Sequence, residues 1–333
     1  RDSVASRGRG DVYKRQKEID LTNVVPAVAT SIGAISGPFE KGPVKSIVNI
    51  GSENELLQVF GKPKGDNFEW WFTAASFLAY SDSLLVVRAE SGVLNACSES
   101  GLLIRDDDHY EGSYKAGQVS VGSWAARTAG AWGNSIEVSI CPSSTAYSQD
   151  ITGANQVNGT MSAAATSVTV DNVDLASNVI YVGDIVSFFT DSGFGTFATN
   201  HEGIEYEVTG ISSHVYTIRK KDDPNAAGLA AAVADNSFIR RRWRFHDIFD
   251  AAPGTSQWAT DNGRGANDEM HVVVYDKTGD ITGADNDVAG QRGHSVIEKF
   301  SALSKNPKAK TAQGGSTFSV SYTHLTLPTN REV

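Results

Sequence analysis

The apolar residues of this chain come in runs no longer than a short β-strand, and that limits the folds open to it. Leu84-Leu85-Val86-Val87 and His271-Val272-Val273-Val274-Tyr275 set the scale. A membrane-spanning helix needs about 18–20 consecutive apolar residues, so no stable membrane insertion is expected. Strand-sized runs broken by glycine, proline and charged residues predict many short elements. At 333 residues the chain has room for about two or three domains of them. The first residues lack the charged, apolar and cleavable parts of a signal peptide, so synthesis in a cytoplasm is expected.

Glu18-Ile19-Asp20-Leu21 alternates polar and apolar residues, which predicts an extended arm over 17–23. Val28–Ile35 predicts a strand with small residues, where a second backbone can approach closely. The cluster Gly37-Pro38-Phe39-Glu40-Lys41-Gly42-Pro43-Val44 reads as turns, and Lys45–Ile50 as a short strand. Ser52 followed by Glu55 predicts a capped helix start, and Gly61 its stop. Phe68–Tyr80 carries Phe68, Trp71, Phe72, Ala75 and Leu78 at helical spacing, a helix with an aromatic face. Leu84–Ala89 is a buried strand, and 92–123 is rich in loops. Then Gly130-Ala131-Trp132-Gly133-Asn134 makes a tight turn feeding an alternating strand over Ser135–Ile140.

Between 150 and 240 the composition shifts toward Ala, Ser, Thr, Val and Gly. Runs at Ser167–Val170, Ile185–Thr190, Ile204–Ile211 and Val215–Lys220 predict a small antiparallel β-domain, barrel-like in its spacing. It reads as an insertion, because α/β character returns afterwards. Met270–Tyr275 is a buried strand, and Ser295–Ser304 puts Val296, Ile297, Phe300 and Leu303 on one face of a short helix. The fold class expected is α+β and multidomain: an incomplete mixed α/β core with an inserted small antiparallel β-barrel-like domain.

Net charge is −10, so no nucleic-acid partner is expected from the surface as a whole. The local exception is Arg240-Arg241-Arg242-Trp243-Arg244-Phe245-His246. Basic residues interleaved with aromatics can hold single-stranded nucleic acid. The reading favoured here is a strand with Trp243 and Phe245 in a core and its arginines toward water or acidic neighbours. Cys97 and Cys141 lack metal or disulfide spacing and read as buried free thiols. Arg105-Asp106-Asp107-Asp108-His109-Tyr110-Glu111 reads as a solvated acidic loop, since consecutive aspartates point different ways. Asp280–Asp287 lacks the spacing and closing glutamate of a calcium loop and reads as an exposed turn. Asn158-Gly159-Thr160 is a glycosylation sequon that reads as unused. No P-loop, nucleophile elbow, zinc-protease or dinucleotide motif occurs in the sequence, so no catalytic residue, cofactor or metal is expected.

Residues 1–16 and 319–333 share neither periodicity nor character with the rest, and resemble translated adapter tails on fragments from environmental sequencing. The organisation expected between them is an arm and α/β segment over 17–95, a loop-rich connection over 96–149, the β insertion over 150–240 and the start of a central domain over 241–318.

The order of several motifs carries a family resemblance. Glu18-Ile19-Asp20, Thr30–Pro43, Phe60-Gly61-Lys62-Pro63, Leu84–Ala89, Ala131–Val138, Asp268–Asp276 and Val296–Phe300 follow one another as in the tail-sheath proteins of contractile bacteriophages. The resemblance implies a structural, non-enzymatic protomer in a virion, assembled in the host cytoplasm. Its partners would be copies of itself in stacked rings, a tail tube and a baseplate. It implies contraction by rigid-body rearrangement, driving the tube through the host envelope. The segment Glu18, Ile19, Asp20, Leu21 would add a strand to a neighbouring subunit. Gly37, Pro38, Gly42, Pro43, Gly61, Trp132, Gly133 and Asn134 would be structural turns. The family's C-terminal half is missing from this sequence, so an unfinished sheet edge and a tendency to aggregate are expected. Alternatives are a sheath protein of a bacterial contractile injection system or tailocin, and an enzyme or receptor-binding protein that uses the β-domain.

Overall fold

A computed structural model describes residues 32–114, 124–151, 156–171, 180–223, 228–284 and 295–319. It divides into two compact units, residues 1–92 and 93–333.

The first unit is a three-stranded sheet with two helices. Strands β1 (Gly33–Gly37), β2 (Ile47–Ile50) and β3 (Leu84–Arg88) lie in the order β1-β3-β2, with β1 parallel and β2 antiparallel to β3. Helix α1 (Glu53–Phe60) starts where the sequence places it: Ser52 Oγ accepts from the Glu55 amide at 3.2 Å. Glu55 answers by accepting from the amide of Gly51 at 2.7 Å, one residue earlier than a regular capping box. Gly61 ends the helix with φ +86°, a conformation costly for any residue with a Cβ.

Helix α2 (Phe68–Leu78) buries Trp71, Ala74 and Ala75 against Phe39, Ile50, Leu56, Phe60, Leu84 and Val86. The aromatic face expected of it is only partly buried. Phe68 and Phe72 stay 47% and 54% exposed, because the sheet beneath is only three strands wide and the adjacent small residues take the contact. Trp70 and Phe77 instead lie over β1, where a Cβ on Gly37 or Gly33 would meet their rings at 2.7 and 2.5 Å.

In the second unit a short helix α3 (Asp107–Ser113) replaces the expected acidic loop. Asp106 caps it by accepting from the His109 amide at 2.8 Å. Asp107 and Asp108 then lie in its first turn, where the helix dipole favours negative charge. A 3-10 turn over Ala131–Ser135 feeds β4 (Ile136–Cys141). One helical turn, α4 (Ser144–Tyr147), carries the chain into β5 (Ser148–Ile151) of a second sheet.

That sheet adds β6 (Ser167–Thr169), β7 (Ile185–Phe189), β8 (Tyr206–Ser212), β9 (Val215–Lys220) and β10 (Phe238–Arg242), in the order β5-β10-β7-β8-β9-β6. All its pairings are antiparallel. The expected barrel-like closure is absent among the described residues, since β5 and β6 stand at opposite ends. Irregular chain covers the core instead: Val157 donates to Ser237 at 3.0 Å, Met161 to Val233 at 2.8 Å and Leu229 to Ala165 at 2.9 Å. Beneath these segments lie Val168, Val186, Phe188, Tyr206, Val208, Ile218 and Ile239.

After β10 the chain passes α5 (Gln257–Asp261) and returns to a three-stranded sheet, β12-β11-β4, made with β11 (Glu269–Asp276) and β12 (Val296–Ser304). Strands β5 to β10 therefore fall in the chain between two strands, β4 and β11, that pair directly with each other. Both faces of β11 are buried. Val273 and Tyr275 pack with Cys141, Trp243, Phe245 and Phe249, while Val272 and Val274 pack with Phe300 and Leu303. Cys141 is fully buried, but Cys97 is only half-buried.

The helix expected over Ser295–Ser304 is instead strand β12. Two bulges in its pairing with β11 produce the misleading spacing: Met270 faces Leu303, Val272 faces Phe300, and Tyr275 faces Val296. Each bulge adds a residue to β12 and reverses which face the next side chain takes: Leu303 follows Phe300 on one face at a spacing of three, while Val296 turns to the opposite face beside Tyr275. Buried His271 fixes one bulge. Its Nδ1 accepts from the Ala302 amide at 3.0 Å, and Ala302 takes φ +51°.

Arg88 is the inward-facing cation on which the first unit's turn cluster rests. It is 2% exposed and donates to the carbonyls of Phe39 at 2.7 Å, Glu40 at 2.8 Å and Gly42 at 3.2 Å. An Arg88→Lys chain keeps the charge but loses the planar fork that reaches three acceptors. It should lose about 3 kcal/mol of stability, read as a lower urea midpoint; an unchanged midpoint would remove Arg88 from this role.

Candidate functional site

Gly37, Pro38, Gly42, Pro43 and Gly61 all fall around the Arg88 guanidinium and the facing 60–64 loop. Gly37 ends β1, and its carbonyl accepts from Phe39 at 3.0 Å and Ala89 at 2.9 Å. Gly42 has φ +102°. The Gly61 carbonyl accepts from Trp71 Nε1 at 2.8 Å. Glu40 closes the gap between the loops, accepting from the Lys62 amide at 3.2 Å and pairing with Lys64 at 2.6 Å.

Trp132, Gly133 and Asn134 lie in the second unit, inside the 3-10 turn. Trp132 is 7% exposed, and its carbonyl accepts from Ser135 Oγ at 2.7 Å. Gly133 lies so close to Ala96 that an added Cβ would approach the Ala96 methyl to 3.0 Å. Asn134 faces solvent. Glu18, Ile19, Asp20 and Leu21 lie outside the described residues, as do the two tails apart from Ser319.

The basic run of β10 meets acidic neighbours at almost every step. Arg240 pairs with Asp150 across the β5 edge, with its guanidinium 4.8 Å from the Phe189 ring. Arg241 and Asp184 form a pair at 2.7 Å whose side chains are 8% and 7% exposed. Glu205 gathers Arg242 Nη1 at 2.5 Å, Lys221 Nζ at 3.0 Å and His246 Nε2 at 3.3 Å. Burial works against the ionised Glu205, but the hydrogen bond and charge of His246, with the Lys221 ammonium, outweigh it. Its carboxyl is held well below the usual range. Lys221 also reaches Asp247 at 2.7 Å, and Glu207 takes Arg219 at 2.8 Å. Meanwhile Trp243 and Phe245 enter the core beside Tyr275. The Lys221–Asp247, His246–Glu205 and Arg244–Glu207 pairs join the β5–β10 sheet to the 243–249 segment, while Arg240–Asp150 and Arg219–Glu207 tie neighbouring strands within that sheet.

The surfaces left for association are strand edges and one sheet face. Among the described strands none pairs with the outer edges of β1, β2 or β4. On one face of the first sheet, register brings Ala34, Leu85 and Asn49 into one row and Ser36, Val87 and Ile47 into the next. All are exposed or half-buried, Ile47 at 71%. Among the described residues no three His, Cys, Asp or Glu side chains gather to hold a metal, and no helix is long and apolar enough to cross a membrane. The 280–284 turn is exposed or half-buried and is organised by Asp276, which accepts from the amides of Gly279, Ile281 and Thr282.

Sequence reasoning missed three residues. Arg88 carries a signal, being the third inward position of Leu84-Leu85-Val86-Val87-Arg88. His271 has none, because the bulge it holds comes from pairing. Glu298 has none either; its Oε2 is buried without a hydrogen-bond partner, and burial pushes the carboxyl up to about 7.

Two predictions follow from these charges. Asp184→Leu alone strands a buried guanidinium and should cost about 3–5 kcal/mol, whereas Asp184→Leu with Arg241→Leu should recover most of it. Equal losses in a denaturation series would contradict the pairing. An unfolded Glu298 ionises near 4.3, below its folded value of about 7. Its contribution to stability is therefore complete below about 4.3 and is lost as pH rises through about 7. Glu298→Gln should flatten that decline in melting temperature; an identical slope would show that Glu298 does not titrate there.

No family model matches the chain. A stretch of 72 residues is 39% identical to the tail sheath protein of Vibrio phage KVP40, covering 22% of this chain and 11% of that protein. Over 73 residues it is 33% identical to the tail sheath protein of Enterobacteria phage T4, again 22% of this chain and 11% of the relative. The match thus spans about a ninth of either relative's length. Both relatives are named for a structural part of a phage tail, not for an enzyme.

Proposed function

We propose that this chain is part of a phage tail sheath protein, a structural protomer that associates with copies of itself around a tail tube. The observation that carries this reading is the 39% identity to a tail sheath protein. The open edges of β1, β2 and β4 and the exposed Ile47 face are consistent with it, since unpaired strand edges invite a further strand. In the virion the protomer sits between tube and exterior and is connected to a baseplate; it is made in the host cytoplasm. Contraction by rigid-body rearrangement needs no covalent step, only a second packing of lower free energy. The arm Glu18-Ile19-Asp20-Leu21 adds a strand to a neighbouring copy and keeps copies connected as they move.

The test is polymerisation of the longer gene product that contains this chain, followed by sedimentation and electron microscopy. Wild-type protein should form tubes or rings. Ile19→Pro removes a backbone donor and fixes φ in the arm. With about 1 kcal/mol lost for the broken main-chain bond, it should raise the concentration needed for assembly by about fivefold, with an unchanged circular dichroism spectrum. Protein that stays monomeric at high concentration would defeat the sheath reading. Equal assembly by the Ile19→Pro chain would defeat only the role of the arm.

A further inference from the structure

Two Asn-Gly pairs occur in the chain, Asn158-Gly159 and Asn262-Gly263, and both asparagines are exposed. Such pairs are chemically fragile. The glycine amide nitrogen attacks the asparagine Cγ, a C–N bond forms, the Cγ–Nδ2 bond breaks and ammonia leaves. Water then opens the resulting succinimide to aspartate or isoaspartate. Glycine favours the attack because no side chain hinders its nitrogen. The attacking nitrogen must also shed its proton, so whatever holds that N–H governs the rate.

The two sites differ in this respect. The Gly159 amide donates to Asp235 Oδ1 at 2.6 Å. A carboxylate is far too weak a base to remove an amide proton, and its negative charge opposes formation of the amidate. The backbone around it is held from both sides: Asn158 donates to Thr169 at 2.9 Å, while Val157 donates to Ser237 at 3.0 Å and accepts from Asn236 at 2.8 Å. Cyclisation would have to pull this segment out of two neighbours at once.

Asn262 instead caps the five-residue helix α5. The Gly263 amide makes only a 3.3 Å bond to the Thr260 carbonyl, with no carboxylate on it. Residues 261–267 are all exposed, and Gly263 and Gly265 both take positive φ. The side chain of Asn262 is held by one hydrogen bond, Nδ2 to the Trp258 carbonyl at 2.9 Å. Opening this cap disturbs one short helix end and no sheet.

We propose that Asn262 is a site of spontaneous deamidation and that Asp235 shields Asn158 from the same reaction. Conversion at Asn262 places a new negative charge at the C-terminal end of α5, where the helix dipole disfavours it. The purified chain, incubated at mildly alkaline pH and sampled by peptide mass spectrometry with isoaspartate detection, tests both halves. Modification should accumulate at Asn262 well ahead of Asn158. In Asp235→Ala protein, the loss of a charge-assisted hydrogen bond should speed Asn158 by about tenfold or more while Asn262 keeps its rate. Both sites should react at similar rates in urea, which separates the effect of folding from that of local sequence. Asn158 reacting as fast as Asn262 in the folded wild type, or at an unchanged rate in Asp235→Ala protein that is still folded by circular dichroism, would overturn the shielding. An Asn262 no faster when folded than Asn158 would overturn the assignment of the site.

Discussion

When the carbonyls of Phe39, Glu40 and Gly42 turn inward beside a small core, each must find a donor, because a buried polar group without one costs free energy comparable to the bond it lacks. Arg88 supplies all three from the end of β3. Its fork fixes the path of the turn cluster. That path sets Phe39 against Phe60 at 5.0 Å and carries Glu40 to the backbone of Lys62. The Gly-Pro turns could in principle take several shapes; the guanidinium selects one. A sheet of only three strands can be stable in this way, with a charge organising chain that is too irregular to satisfy itself.

The second unit solves a related problem on a larger scale. Strands β5 to β10 interrupt the chain between paired neighbours β4 and β11, so the six-stranded sheet hangs from two connections. Ion pairs from Arg240 to Arg244 line the return connection, and the central Arg241–Asp184 pair is nearly as buried as the apolar core beside it. Burial raises the Asp184 carboxyl, and Arg241 draws it back. Such pairs add little net stability compared with apolar packing but penalise any other arrangement heavily. A fixed orientation of the six-stranded sheet is the expected consequence.

The legible parts of the fold share one property: their signals are local. Ser52, Glu55 and Gly61 mark α1 through bonds that span no more than four residues. The runs of β3 and β11 are buried on at least one face, and their alternation or continuity shows in the residues themselves. Around β10 the reading held only in part: Trp243 and Phe245 reach the core as expected, but from a turn after the strand, which ends at Arg242, and not by strand alternation. Of the residues singled out as turns, Gly42 and Gly61 take backbone angles that a glycine-rich cluster foretells.

What the sequence determined by itself was therefore the inventory: short strands, capped helices, a β-rich insertion and glycine turns, each set by steric and hydrogen-bonding preferences within a few residues. Tertiary structure decided whatever depends on a distant partner. Bulges in the β11–β12 pairing turned an apparent helix into a strand, and irregular chain, not strand pairing, closed over the six-stranded sheet. The width of a three-stranded sheet left Phe68 and Phe72 in solvent. Arg88 became a hub only once three carbonyls from 46 to 49 residues away in sequence surrounded it. Burial and register are properties of pairs of segments, and a single segment does not encode its partner.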